Sequence, residues 1–174
     1  IVYLCIMKKS FWGITVSVLA LLSCNSDDEV LQEIDQVMTF YIKDAAGKDL
    51  LHPTNVGAYS SISMNDVFGE NDSSPVTFSG PTMQTDSTYN IEYTASATRR
   101  LLSSNAQDNR IYQSKIALNM NQKINDTLYQ AVSDTMEIQY NWSPSRFEIR
   151  KVWYNNNEVF TKTPTSGNTF TITK

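Results

Sequence analysis

Residues 135–142 read TMEIQYNW. Met136, Ile138, Tyr140 and Trp142 fall on one side of an extended chain, and Thr135, Glu137, Gln139 and Asn141 fall on the other. A period of two marks a β-strand with one face buried and one face wet. Ser143-Pro144 closes the stretch, since proline has no N–H to give to a ladder. The next segment, Phe147 to Tyr154, alternates in two phases. Phe147 and Ile149 agree with each other, as do Val152 and Tyr154, and the phase slips at Arg150-Lys151. Such a slip predicts a β-bulge. Asn155-Asn156-Asn157 predicts a turn, because asparagine tolerates positive φ. Glu158 to Thr161 is then the returning hairpin strand, and Thr169 to Thr173 alternates Phe170 and Ile172 with threonines.

Towards the N-terminus the same grammar continues. Strands are expected at Val37 to Lys43, Tyr59 to Met64, Val76 to Ser79, Tyr89 to Ala95 and Ser114 to Met120, with Leu128 to Val132 as a further short one. Thr98 to Arg110 is polar and reads as a loop or helical turn. No long 3.6-residue period follows the first segment, and there is no internal repeat. Eight or so short strands in one domain predict an all-β fold: an Ig-like or transthyretin-like two-sheet antiparallel sandwich after an N-terminal signal helix, with a small β-barrel as the alternative.

That first segment, Met7 to Cys24, reads MKKSFWGITVSVLALLSC. Lys8 and Lys9 precede an apolar run from Phe11 to Leu22, shorter than the ~20 residues a helix needs to cross a bilayer. This is the pattern of a secretion signal. Leu21-Leu22-Ser23-Cys24 resembles a lipobox, in which the cysteine thiol takes a diacylglycerol as a thioether before cleavage. Residues 1–6 precede the natural start at Met7 and read as upstream sequence. Asn25-Ser26-Asp27-Asp28-Glu29 resembles the surface-export signal of Bacteroidota-type lipoproteins, a solvated acidic tether. The expected organisation is a signal peptide over 1–23, a lipidated acidic tether over 24–36 and one sandwich domain over 37–174.

Farther along, Phe40-Tyr41-Ile42-Lys43-Asp44, Gly47-Lys48-Asp49-Leu50-Leu51, Asp134-Thr135-Met136 and Lys151-Val152-Trp153-Tyr154-Asn155 are similar to segments of uncharacterised Bacteroidota lipoproteins. The resemblance implies a β-sandwich, no known activity and no catalytic residues.

Charge and thiol content bound the chemistry. Of 14 basic residues two are Lys8 and Lys9, and all 18 acidic residues follow Cys24, so the chain from Cys24 onward carries a formal charge of −6. Its acidic balance argues against nucleic acid or anionic head groups as partners, both of which require a cationic patch. With Cys24 acylated and Cys5 upstream of the start, no thiol remains for a nucleophile, a disulfide or a zinc site. The single histidine, His52, rules out a multi-histidine metal site and lies before Pro53 with no nucleophile elbow near any serine.

Several clusters invite a functional reading. Asp44 and Asp49 flank Gly47, and Asp66, Glu70 and Asp72 surround Gly69. These could serve as paired acids or, with Asn65 and Asn71, as a calcium loop. No apolar wall marks any of them as a general acid, so turn roles are expected. Tyr140, Trp142, Trp153 and Tyr154 read as core or packing aromatics, with Trp153 out of phase and facing outward. Asp86-Ser87-Thr88, Asp126-Thr127-Leu128 and Asp134-Thr135-Met136 resemble the O-glycosylation acceptor motif of Bacteroidota, which would place glycans on Ser87, Thr127 and Thr135.

The expected function is non-enzymatic. The chain reads as a surface binding or accessory module without metal or cofactor, held in the outer membrane by the lipid on Cys24, with a glycan or envelope protein as partner. The periplasmic face is the alternative location. A small carboxylate-dependent hydrolase of glycan or peptidoglycan, or a subunit of an outer-membrane complex, are the alternative functions. The native protein should begin at Cys24 and carry a diacylglycerol-sized mass there, and Cys24→Ala should abolish both cleavage and lipid. A mature N-terminus elsewhere, read by intact mass, would refute the anchor.

Overall fold

A computed structural model describes residues 31–71, 74–105 and 109–174. The signal segment, Cys24, most of the tether and Asp72 lie outside them. The strands run β1 (Glu33–Asp35), β2 (Val37–Lys43), β3 (Tyr59–Asp66), β4 (Phe78–Met83), β5 (Tyr89–Thr94), β6 (Arg100–Ser104), β7 (Arg110–Lys123), β8 (Tyr129–Trp142), β9 (Arg146–Tyr154), β10 (Asn157–Thr161) and β11 (Thr169–Thr173). They form two sheets, so the all-β sandwich is the fold and the closed barrel is not.

The large sheet is built on a long hairpin. β7 and β8 pair in unbroken antiparallel register from Arg110↔Trp142 to Lys123↔Tyr129. β9 flanks β8. Each outer edge is shared by two short strands. β6 and β3 lie on opposite ends of β7, and β1 and β10 on opposite ends of β9. The small sheet runs β11-β2-β5-β4. Pairing is antiparallel except at two edges, where β1 joins β9 and β11 joins β2 in parallel.

The alternating phases bury as the sequence requires. Met136, Ile138 and Tyr140 of β8, with Ile116 and Leu118 of β7, are completely inaccessible to solvent. They face Phe40 and Ile42 of β2 and Ile91 and Tyr93 of β5, all equally buried in the same core. Leu50 and Leu51 add to this core from the loop after β2. Each such side chain contributes roughly 1.5–3 kcal/mol on burial. Tyr140 brings a hydroxyl inside, and it is satisfied by Ser114 Oγ at 2.7 Å.

The structure departs from the sequence expectations at several places. Leu128 to Val132 is not a separate strand but the beginning of β8. The buried phase is interrupted there by a carboxylate, Asp134, which breaks the apolar pattern without breaking the strand. β6 occupies part of the stretch expected to be loop or helical turn. All its residues are exposed, so it carries no burial periodicity to read. Val76 to Ser79 is displaced to Phe78–Met83, where Gly80, at φ 113°, and Pro81 sit within a register shift of the edge strand β4. Glu33–Asp35, expected in the tether, is β1.

Two local expectations hold in detail. Gln139 pairs with Lys151 and Tyr140 with Ile149, which leaves Arg150 as the extra residue of a bulge. Asn155 and Asn156 take φ of 48° and 67° in the β9–β10 hairpin, the left-handed pair that a two-residue turn with the correct twist demands.

Ile138→Ala should lower the unfolding free energy by about 2–5 kcal/mol, since a central cavity is left behind. Gln139→Ala, one residue on and facing out, should change it by less than about 0.5 kcal/mol. Urea midpoints measure both, and equal losses would refute the assignment of faces.

Candidate functional site

The Arg150 bulge builds the most chemically distinctive surface of the domain. Alternation along β9 puts Glu148 outward, and the extra residue then leaves both Arg150 and Lys151 on the same half-buried outer side. The bulge also frees a backbone carbonyl. Lys162 N–H donates to Arg150 O at 2.8 Å, drawing the segment after β10 alongside. Two adjoining hollows result. One, of about 480 Å³, runs past Trp142, Ser143, Arg146 and Arg150 to Arg110 and Asn109. The other, of about 400 Å³, shares Asn141, Arg146, Glu148 and Arg150 and continues to Lys151 and Lys162.

Five cations and one carboxylate therefore line a continuous groove on an acidic chain. The cations are not equivalent. Arg146 pairs with Glu148 at 3.0 Å, Lys151 with Glu158 at 2.7 Å and Lys162 with Asp35 at 2.7 Å. Arg146 also comes within 3.8 Å of Glu33. The Arg110 guanidinium lies 4.4 Å from the Trp142 ring centroid. Arg150 has no ion pair or side-chain hydrogen bond among the described residues. It presents a rigid fork of donors suited to a planar or tetrahedral oxyanion.

The groove gathers these cations on a chain that is acidic overall. Net charge is a whole-chain sum, whereas the bulge and the β10–β11 connection concentrate cations locally. The run Arg146-Phe147-Glu148-Ile149-Arg150-Lys151 held the signal, with three cations in one short strand whose phase slips.

Of the carboxylates read as candidate acids, Asp44, Asp49 and Asp66 go into structural bonding, and Glu70 is exposed. Asp44 Oδ1 accepts from the N–H groups of Ala46 and Lys48, both at 2.9 Å. Asp49 accepts from Leu51 N–H at 2.8 Å and, across the sheet, from Tyr89 N–H at 2.7 Å. Asp66 accepts from Phe68 N–H at 2.9 Å and Thr98 N–H at 2.6 Å. Burial pulls the Asp66 pKa upward, but these bonds outweigh it and hold the carboxyl below its ordinary value. The oxygen-rich loop beside it spends Asp66 on backbone donors, and no group of three metal-ligating side chains is assembled among the described residues.

Two ionic clusters tie strands together. Asp35 accepts from Lys162 and from Asn168 Nδ2, while Asn168 Nδ2 also reaches Val37 O at 2.9 Å. Asp134, buried at the end of the core, accepts from Lys174 Nζ, Tyr154 Oη and Asn155 Nδ2. Lys174 lies over the Tyr154 and Tyr59 rings at 4.8 and 5.5 Å. Burial again opposes ionisation of Asp134, and the three donors overcome it, so its pKa is lowered. Burial and the same carboxylate push the Tyr154 hydroxyl upward, so it remains a donor.

The remaining sequence candidates are dispersed. His52 is half-buried with its ring edge-on to Tyr89 at 5.1 Å, and Thr54 Oγ1 lies 3.0 Å from its Nδ1. Tyr140 and Tyr154 are core, Trp142 packs at its margin, and Trp153 lies outward beneath Lys151. Ser87 and Thr127 stand on exposed turns of the β4–β5 and β7–β8 hairpins. Thr135 lies inside β8, half-buried on its outer face. Cys24 falls outside the described residues.

No family model, curated protein or solved structure matches this chain.

The lowered Asp134 pKa fixes the sign of a pH effect. A carboxyl held below its unfolded value stabilises the fold above that value, and the stabilisation disappears as pH falls through the folded pKa. Asp134→Asn should cost about 2–3 kcal/mol at neutral pH, through the loss of a hydrogen-bonded charge partner. It should also flatten the loss of stability expected of the parent protein below about pH 4. Denaturant titrations at neutral and acid pH test this, and parallel curves would contradict it.

Proposed function

We propose that this protein is a lipid-anchored module of the cell envelope that binds a partner rather than transforming a substrate. The signal segment and the lipobox ending at Cys24 support the anchor, and the acidic residues behind it support display at the outer face of the outer membrane. The observation that carries the binding reading is the commitment of the carboxylates. Asp44, Asp49, Asp66 and Asp134 each accept from backbone or side-chain donors, and Asp66 and Asp134 are held ionised. A general acid for glycoside or peptidoglycan hydrolysis requires the opposite arrangement, an apolar wall that raises the pKa. The groove around Arg150, by contrast, offers unused donors on an open surface.

An envelope glycan or protein is the partner class. Ser87 and Thr127, on exposed turns, are the better placed O-glycan acceptors, and Thr135 is the least accessible.

Protease added to intact cells should remove the domain while leaving periplasmic markers untouched, and mild crosslinking should recover envelope components with it. Peptides carrying Ser87 or Thr127 should show hexose-sized additions. Full protection from protease in intact cells would exclude surface display, and turnover of peptidoglycan fragments by the purified protein would exclude the binding reading.

A further inference from the structure

We infer that the groove around Arg150 holds the phosphate of a lipid head group in the membrane to which Cys24 attaches the domain. The inference rests on the lipid anchor proposed above and deepens it.

Position comes first. The chain enters the domain at the groove itself. Gln32 Nε2 donates to Ser143 O at 2.6 Å, and Glu33 N–H donates to Ser145 O at 2.9 Å, while Ser143 and Arg146 line the hollow. Cys24 and Gln32 are eight positions apart, and an extended chain spans at most about 3.6 Å per residue. The backbone from Cys24 to Gln32 can therefore span no more than roughly 29 Å. The β7–β8 turn lies a whole strand length from this entry point.

Chemistry selects the occupant. Arg150 is a guanidinium with no counter-ion among the described residues, and Asn141 and Ser143 line the same hollow as neutral polar groups. Guanidinium binds carboxylate and phosphate in the same two-pronged way. Within the reach of the tether, head-group phosphate is the oxyanion present at the highest density.

Charge distribution removes the apparent objection that the chain is acidic. Among the described residues, Glu33 and Glu148 contact Arg146, Glu158 contacts Lys151 and Asp35 contacts Lys162, and none of them pairs with Arg150. At physiological ionic strength charges are screened beyond about 8 Å, so the membrane senses the end of the domain turned towards it rather than the net charge. An acidic remainder then disfavours every other orientation. One uncompensated arginine at this end thus both binds and orients.

The test uses the unacylated mature chain, Cys24→Ser, with vesicles of phosphatidylcholine alone or with phosphatidylglycerol. We expect co-sedimentation with the anionic vesicles only, lost at high salt. Arg150→Ala should weaken it roughly fivefold, the worth of one basic side chain at an anionic surface. Lys48→Ala, which removes the same charge near the far end, should leave it unchanged. Unaltered thermal unfolding of Arg150→Ala confirms that the variant folds, as a side chain without partners allows. Equal binding by the parent and Arg150→Ala chains, or equal losses in the two variants, overturns the inference. Titration with inorganic phosphate separates the sources: binding of free phosphate without vesicle binding also overturns it. The mass of the native protein tests the anchor independently, so the two failures are distinguishable.

Discussion

The β7–β8 ladder sets the frame on which everything else is placed. It holds one register from Arg110↔Trp142 to Lys123↔Tyr129 without a bulge. Side chains on a strand alternate faces, so a slip of one residue anywhere in it would carry the remaining core side chains into solvent and the charged ones inside. Because the ladder is long, its two edges can each receive two short strands end to end, and the sheet gains width without any further long strand. The single phase change permitted in the neighbouring β9 is absorbed at Arg150, where the cost is one unpaired residue and the result is two consecutive cations on the outer face.

Much of this was legible in the sequence for physical reasons. Where one face is apolar and the other polar, alternation reports burial directly, as in Val37–Lys43, Phe147 to Tyr154 and Thr169–Thr173. The bulge was visible as a phase slip and the hairpin as consecutive asparagines. Where the alternation carries no contrast, reading fails. β6 is exposed on both faces, and β1 is too short to show a period. Asp134 misleads in the other direction. A carboxylate on the buried side looks like an end of the strand until its three donors are known.

The candidate groove was less legible than the fold because it is assembled from separate segments. Arg110, Arg146, Arg150 and Lys162 meet only after β7, β9 and the segment following β10 are paired. The carboxylates show the complementary point. Their spacing suggested pairs of acids or a calcium loop, but Asp44, Asp49 and Asp66 are spent on backbone N–H groups. Asp35, Asp44, Asp49, Asp66 and Asp134 thus hold the scaffold, while Arg150 is left without an ion pair among the described residues.

The passage from β1 to β2 places the N-terminal strand in the large sheet and its immediate successor in the small one, with only Gln36 between them. Gln36 is gripped by Arg99, whose guanidinium also stacks 4.6 Å from the Phe147 ring centroid, and Asp35 is clasped by Lys162 and Asn168. Tension arriving along the chain from its N-terminal side therefore meets β1 lengthwise. It must slide three residues past β9 together, rather than peel them one at a time, and it must break an ionic clasp before reaching either half of the core. The entry point doubles as a mechanical clamp, spreading load over both layers of the sandwich at once.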